Sequence, residues 1–305
     1  MHIIHLIRWK NLLLIGLTQI LIKYVLFDPA FGASITLNGF GFSLLVISTL
    51  SIAAAGYIIN DIYDVETDTI NHPNSVIVGR LITEKTAYNL YIILTVVGVA
   101  LGFYLSNLIG RSGFAALFVI ISALLYIYAS YLKRIAIVGN LVISILVAMS
   151  IIIVGIFELL PAITQYNQPT QATFFELLRD YAIFAFMINF LREMVKDIED
   201  IDGDYKAGMQ TLPIIMGRER TGKVVFILSF IPIAAIIYYV ITFLYRQQLA
   251  IGYFLVFVVG PLLYFSVKSY SAETKDEWQR LSKILKLVML FGVFSMILYK
   301  FILIK

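Results

Sequence analysis

FGFSLLVISTLSIAAAGYII, residues 40–59, runs without a charge and then meets NDIYDVETD at 60–68. Twenty apolar residues make a helix of about 30 Å, the thickness of a bilayer's hydrocarbon core. The four acids that follow mark the point where that helix leaves lipid. Eight more runs of the same kind lie at 11–27, 86–107, 114–132, 135–158, 175–195, 222–245, 248–268 and 283–304. Lys133 and Arg134 alone separate the fourth run from the fifth, which predicts a tight helical hairpin. The sixth is the least apolar, since it carries Arg179, Asp180, Arg192 and Glu193. No period-2 alternation recurs, which argues against a membrane barrel.

Composition agrees. Of 305 residues, 60 % are hydrophobic and 14 % charged, against about 25 % charged in soluble domains. A water-soluble globule could not cover that much apolar side chain. The chain has no cysteine, which removes disulfides, thiolate metal sites and a thiol nucleophile. Its histidines are His2, His5 and His72, so a three-histidine zinc site would need both from the extreme N-terminus. The net charge of +4 gives no reason to expect nucleic acid as a partner, and no obligate protein partner is inferred. The expected fold is an all-α integral membrane protein, a nine-transmembrane-helix bundle in a single domain over 1–305.

Nine spans put the termini on opposite sides. Seventeen of the 23 Lys and Arg fall on the side shared by the N-terminus and the loops after even-numbered spans. Lys23, Arg111, Arg179, Arg246, Lys300 and Lys305 fall on the other. The positive-inside rule then places the N-terminus and the acid-bearing loops in the cytoplasm of a multi-pass cell-membrane protein. The first run has a basic start but no clear small-x-small site after it, so it reads as a retained span rather than a cleaved signal.

Ten of the 19 acids occupy two windows, 61–68 and 193–204, and the spacing repeats. Asp61-x-x-Asp64-x-x-x-Asp68 matches Asp197-x-x-Asp200-x-x-x-Asp204, and each is followed by a glycine–arginine pair, Gly79-Arg80 and Gly217-Arg218. On a continuous helix, offsets of three and seven place three carboxylates within an arc of about 60°. Such a face repels itself unless a cation compensates it. Oxygen-only donors suit a hard ion, Mg²⁺ before Ca²⁺. Solvated loop charge is the bland alternative, and two matched clusters in so charge-poor a chain weigh against it. An EF-hand at 200–211 fails, with Tyr205 at the glycine position and Thr211 at the bidentate glutamate position. Cations near the same expected membrane face are Arg8 (with Asn11 one turn on), Arg80, Lys133, Arg192 and Lys196. Each alone reads as an interfacial snorkelling residue, and Arg192 and Lys196 have helical-neighbour acids with which to pair.

With Asn60, the first cluster resembles the first signature of the UbiA superfamily of intramembrane prenyltransferases. KDIEDIDGDYKAGMQTLP at 196–213 resembles that superfamily's second aspartate motif, and the likeness covers nearly the whole chain. DTINHP at 68–73, KDIEDIDGD and Tyr128-ASYL-Lys133 are similar to the digeranylgeranylglyceryl phosphate synthase branch. The resemblance implies a central cavity opening near the cytoplasmic face, and transfer of a polyprenyl group, geranylgeranyl in this branch, from its diphosphate. The favoured lipophilic acceptor is geranylgeranylglyceryl phosphate, in ether-lipid synthesis. It implies two Mg²⁺ ions, with Mn²⁺ able to substitute, on Asp61, Asp64 and Asp68 and on Asp197, Asp200 and Asp204. Asn60 joins the catalytic set, and Arg8, Asn11, Arg80, Lys133, Arg192 and Lys196 bind the diphosphate. Where many relatives carry Arg-Pro in the first loop this chain has Ser75-Val76, so Arg80 is the expected replacement. An aromatic-acceptor prenyltransferase and a divalent-cation transporter are the alternative readings. The second would place carboxylates near the bilayer midplane.

Overall fold

The computed structural model describes residues 2–303, so residue 304 of the ninth expected span and Lys305 of the charge count lie outside the described residues. The described chain is helical, with no β-strand and two isolated bridges, Val78–Ile82 and Ile135–Gln210. Among the described residues, eight helical segments are long and apolar enough to cross a bilayer: Trp9–Leu26, Gly39–Tyr63, Glu84–Leu108, Ser112–Ser130, Val138–Ala162, Arg218–Phe243, Gln248–Ser271 and Lys275–Phe301. The chain is a multi-pass membrane protein. The sixth expected span forms as a 32-residue helix, Gln168–Glu199, about 48 Å long, whose charges keep it out of that set. The last span starts eight residues earlier than its apolar run because Thr274 and Glu277 form a reciprocal capping box ahead of it.

The helices are α1 His2–Leu6, α2 Trp9–Leu21, α3 Gly39–Tyr63, α4 Val65–Asn71, α5 Glu84–Leu108, α6 Ala115–Ser130, α7 Val138–Glu158 and α8 Gln168–Glu199. They continue as α9 Ile201–Lys206, α10 Leu212–Met216, α11 Arg218–Phe243, α12 Gln248–Tyr253, α13 Gly260–Ser271, α14 Lys275–Phe294 and α15 Leu298–Leu303. They form two compact units. One holds the described residues through Lys133 together with Met149–Arg179. The other holds Arg134–Ala148 together with the described residues from Asp180 onward.

In the first unit α3 packs most extensively on α5, and both meet α6. Lipid tails give no hydrophobic drive to join helices, so close backbone approach through small residues does the work. Gly98 and Gly102 supply it. A Cβ on Gly98 would lie 3.1 Å from the Ser48 carbonyl, which is near enough for the Ser48 hydroxyl to donate to the Gly98 carbonyl at 2.6 Å. A Cβ on Gly102 would stand 2.3 Å from the Phe118 ring. A smaller core of Leu6, Ile58, Ile59, Ile62, Val78, Ala87 and Ala129 fixes α1 against the C-terminal end of α3. Lys23 and Glu158 form a fully buried ion pair at 2.6 Å, completed by the Leu37 backbone, whose carbonyl accepts from Lys23 and whose N–H donates to Glu158.

The second unit is built around Val225, Ile236, Leu262, Phe265, Trp278, Leu285 and Val288. Pro232 lies inside α11 without ending it. Pro261 lies inside the continuous helix Gln248–Ser271, directly after a π-helical stretch at Phe254–Val259, where the shifted hydrogen-bond register takes up its missing N–H.

Candidate active site

Both acid motifs interrupt their helix at the same place. Helix α3 ends at Tyr63 and α4 begins at Val65, with Asp64 between them at φ −96°, ψ 3°. Helix α8 ends at Glu199 and α9 begins at Ile201, with Asp200 at φ −101°, ψ 8°. In each case the middle aspartate's N–H still donates to a carbonyl four residues back, Asn60 or Lys196. Its own carbonyl accepts from the last aspartate of the motif, Asp68 or Asp204. The single continuous helix expected from the spacing is therefore corrected to two helices joined at a bridge-region residue. Gly79 and Gly217, which precede the paired arginines, both have φ above 80°, where a side chain would be strained.

The first motif is held by cations drawn from distant sequence. Arg8, between α1 and α2, sits in the left-handed region at φ 49°, ψ 53°. A non-glycine residue there costs about 1–3 kcal/mol. The turn aims its guanidinium at Asp61, with Nη2 2.7 Å from Oδ1, and over the Tyr57 ring at 5.3 Å. Lys133, in the short turn after α6, forms an ion pair with Asp64 Oδ1. The Asn60 amide donates to Asp64 Oδ2 at 2.6 Å, and the Thr67 hydroxyl to the Asp64 carbonyl at 2.9 Å. Asp68 lines a cavity of about 580 Å³ with Asp61 and Arg8. Burial, then the nearby Asp64 and Asp61 charges, push its carboxyl up to about 6. Asp61 lies at the end of a 25-residue helix, not at its middle, unlike the midplane carboxylates of a transporter.

The second motif has different neighbours. The Asn140 amide on α7 donates to Asp197 Oδ2 at 2.9 Å, and Asn189 on α8 donates to the Ser144 hydroxyl at 3.2 Å. Glu193 pairs with Arg192 at 3.0 Å and with Lys196 at 3.1 Å. Asp204 is buried on α9. The loop after it is tied to the chain before α7, where the Gln210 N–H donates to the Arg134 carbonyl at 2.9 Å.

Arg8 and Lys133 are thus brought to the first motif. Arg80 is exposed and donates to the Pro73 carbonyl at 2.9 Å, and it does not line the cavity. Asn11 stands one turn beyond Arg8, its N–H on the Arg8 carbonyl at 2.8 Å. Sequence reasoning missed Asn140, Ser144 and Asn189, although polar side chains inside apolar runs are the available signal. It also missed Tyr57 and all three histidines as cavity walls, whereas the acid pairing expected for Arg192 and Lys196 falls on Glu193.

The donor chemistry fits a hard divalent ion, because both motifs offer carboxylate oxygen and no sulfur. Among the described residues no three His, Asp or Glu side chains converge to hold one unaided. Mg²⁺ commonly takes one or two carboxylates and completes its shell with water and substrate phosphate, and Asp61 with Asp68 in the lining of one cavity suits that arrangement.

A model of the UbiA prenyltransferase family matches residues 25–301. A digeranylgeranylglyceryl phosphate synthase from Korarchaeum cryptofilum is 31 % identical over 251 residues, 81 % of each chain. Solved structures agree in fold. The apo structure of a UbiA homologue from Aeropyrum pernix superposes with a TM-score of 0.66 at 13 % identity, covering 98 % of both chains. A UbiA homologue from Archaeoglobus fulgidus bound to GPP and Mg²⁺ gives 0.56 at 17 %, covering 97 % of this chain and 99 % of that one.

Proposed function

The chain belongs to the UbiA prenyltransferase family and is a prenyltransferase, and from that premise we propose its reaction. A geranylgeranyl group leaves its diphosphate and joins the free hydroxyl of geranylgeranylglyceryl phosphate, forming the second ether bond of a dialkyl glycerol lipid. The allylic carbon–oxygen bond to diphosphate breaks, the new bond forms to the glycerol oxygen, and the hydroxyl proton passes to a carboxylate of the motifs. Support for the acceptor is the synthase name borne by the Korarchaeum relative. Support for a prenyl diphosphate donor and a divalent ion is the Archaeoglobus homologue bound to GPP and Mg²⁺.

The observation that carries the reading is the pairing of Arg8 with Asp61 and of Lys133 with Asp64. The two cations a diphosphate needs stand beside the carboxylates an ion needs. Asp61, Asp64 and Asp68 would hold one Mg²⁺ and Asp197, Asp200 and Asp204 a second, with Mn²⁺ able to substitute, and these ions would neutralise the departing diphosphate. Once those carboxylates turn away, Arg8 and Lys133 are freed to donate charge-assisted hydrogen bonds to phosphate oxygens. Asn60 holds Asp64 in place from one turn back. Asn11, Arg192 and Lys196 are the further diphosphate contacts in this reading, with Arg80 joining them on releasing the Pro73 carbonyl.

The apolar spans receive the prenyl tail, worth about 0.8 kcal/mol per buried CH₂, and exclude water from the reacting carbon. The proposal includes nine spans acting as one domain over 1–305, with the N-terminus and both motifs cytoplasmic and a cavity opening on that side. Purified protein incubated with labelled geranylgeranyl diphosphate, Mg²⁺ and a panel of glycerol-phosphate and aromatic acceptors is the test. Label should enter the glycerol-phosphate lipid, and label entering only an aromatic acceptor would overturn the acceptor.

A further inference from the structure

His2, His5 and His72 are the only histidines in the chain, and all three line the cavity that holds Asp61, Asp68 and Arg8. His2 and His5 stand three residues apart on α1, so they share a face. Leu6 on the same helix is fully buried in the core with Ile58 and Ile59, which anchors α1, while His2, Ile3, Ile4 and His5 are exposed. His72 stands at the C-terminal end of α4, and Asn74 also lines the cavity.

The lining combines two chemistries. Arg8 is committed to Asp61 at 2.7 Å, and Asp61 with Asp68 offers carboxylate oxygen. Beside them stand three imidazoles and an amide, with His72 within electrostatic reach of Asp68. An imidazole has at least one N–H to donate in either protonation state, and an amide has two. No three His, Asp or Glu side chains among the described residues close on a common point, so the histidines do not form a cation cage. A donor-rich wall without Lys calls for an oxyanion that brings no ion of its own. A diphosphate belongs with the carboxylates and their ions, whereas a phosphate monoester needs only donors. At about 580 Å³ the cavity is large enough for a small-molecule headgroup.

We infer that the histidine wall receives a lipid phosphate monoester, the headgroup of the acceptor, and so sets acceptor choice. The identity of that lipid rests on the reaction proposed above; the phosphate site itself can be tested without turnover. With only three histidines, selective ring ¹⁵N labelling of the full chain in detergent gives a three-residue spectrum, assigned with His2→Gln, His5→Gln and His72→Gln. Titration of the wild type with a short-chain alkylglyceryl phosphate should move the His2 and His5 signals, and the matching alkylglycerol should leave them still. In kinetics, His5→Gln should raise KM for the phosphorylated acceptor at least tenfold and change KM for the prenyl diphosphate less than twofold. Equal shifts with the neutral alkylglycerol, no shift with the phosphate, or a rise confined to the diphosphate KM would each overturn the assignment. If the wild type prenylates only aromatic acceptors, the acceptor reading fails, while the titration still decides whether a phosphate monoester binds there.

Discussion

The Lys133–Asp64 pair can be separated from the chemistry by a double-mutant cycle. Side-chain exposure is 9 % for Lys133 and 16 % for Asp64, so the pair lies between a surface bridge, worth about 0–1 kcal/mol, and a fully buried one, where losing one partner costs about 3–5 kcal/mol. Asp64 also accepts from Asn60 at 2.6 Å, so Asp64→Asn keeps part of its hydrogen bonding but leaves the Lys133 ammonium without its counter-charge. A destabilisation of about 1–3 kcal/mol follows. Lys133→Met leaves the carboxylate unpaired instead, with a similar loss. The double variant leaves no orphan charge and should recover about 1–2 kcal/mol relative to the sum.

Turnover should behave differently. Each single change removes a group needed when the diphosphate leaves, so each should lower kcat at least a hundredfold, about 2.7 kcal/mol of barrier. The double variant should recover none of it. The assays are detergent thermal unfolding of metal-free protein and single-turnover prenyl transfer in Mg²⁺. A coupling energy within 0.3 kcal/mol of zero would refute the ion pair. Recovery of turnover in the double variant would mean that the pair matters only for stability. The control is Glu66→Gln, since Glu66 is exposed and should be tolerated in both assays.

Asp68 predicts a pH dependence. Its carboxyl is raised to about 6 from an unfolded value near 3.9, so the native state binds the extra proton and metal-free stability should fall as pH rises from about 4 through 6. Thermal midpoints across that range should lose this slope in Asp68→Asn, while Mg²⁺ affinity in the wild type should rise through the same interval. Gly102→Ala should destabilise by about 1–3 kcal/mol, because its Cβ would sit 2.3 Å from the Phe118 ring; detergent melting of the purified variant measures it. The cysteine-free chain also allows a topology test: Tyr166→Cys, fully exposed beyond α7, should label from outside intact cells, and Glu84→Cys only after permeabilisation. The reverse pattern would invert the proposed orientation.

What was legible in the sequence followed from local chemistry. Apolar length gave eight of the expected spans because the bilayer imposes a length that composition must meet. The charges on Gln168–Glu199 made the sixth the weakest span and kept it out of the apolar set. The matched aspartate spacing also survived, as two helix breaks at equivalent aspartates. The break itself was illegible, because the carbonyl-to-N–H bonds four residues apart persist on both sides of Asp64 and Asp200, and periodicity reads those bonds rather than one residue's ψ. Partner identity was the harder part. Arg80 lies twelve residues after Asp68 in sequence, yet its guanidinium is spent on Pro73 in its own loop. Arg8 lies 53 residues before Asp61, and reaches it because Leu6 anchors α1 in the core beside Ile58 and Ile59. The same anchor carries His2 and His5 to the cavity. Counted for zinc, those histidines looked stranded at the terminus; one buried leucine makes them part of the site.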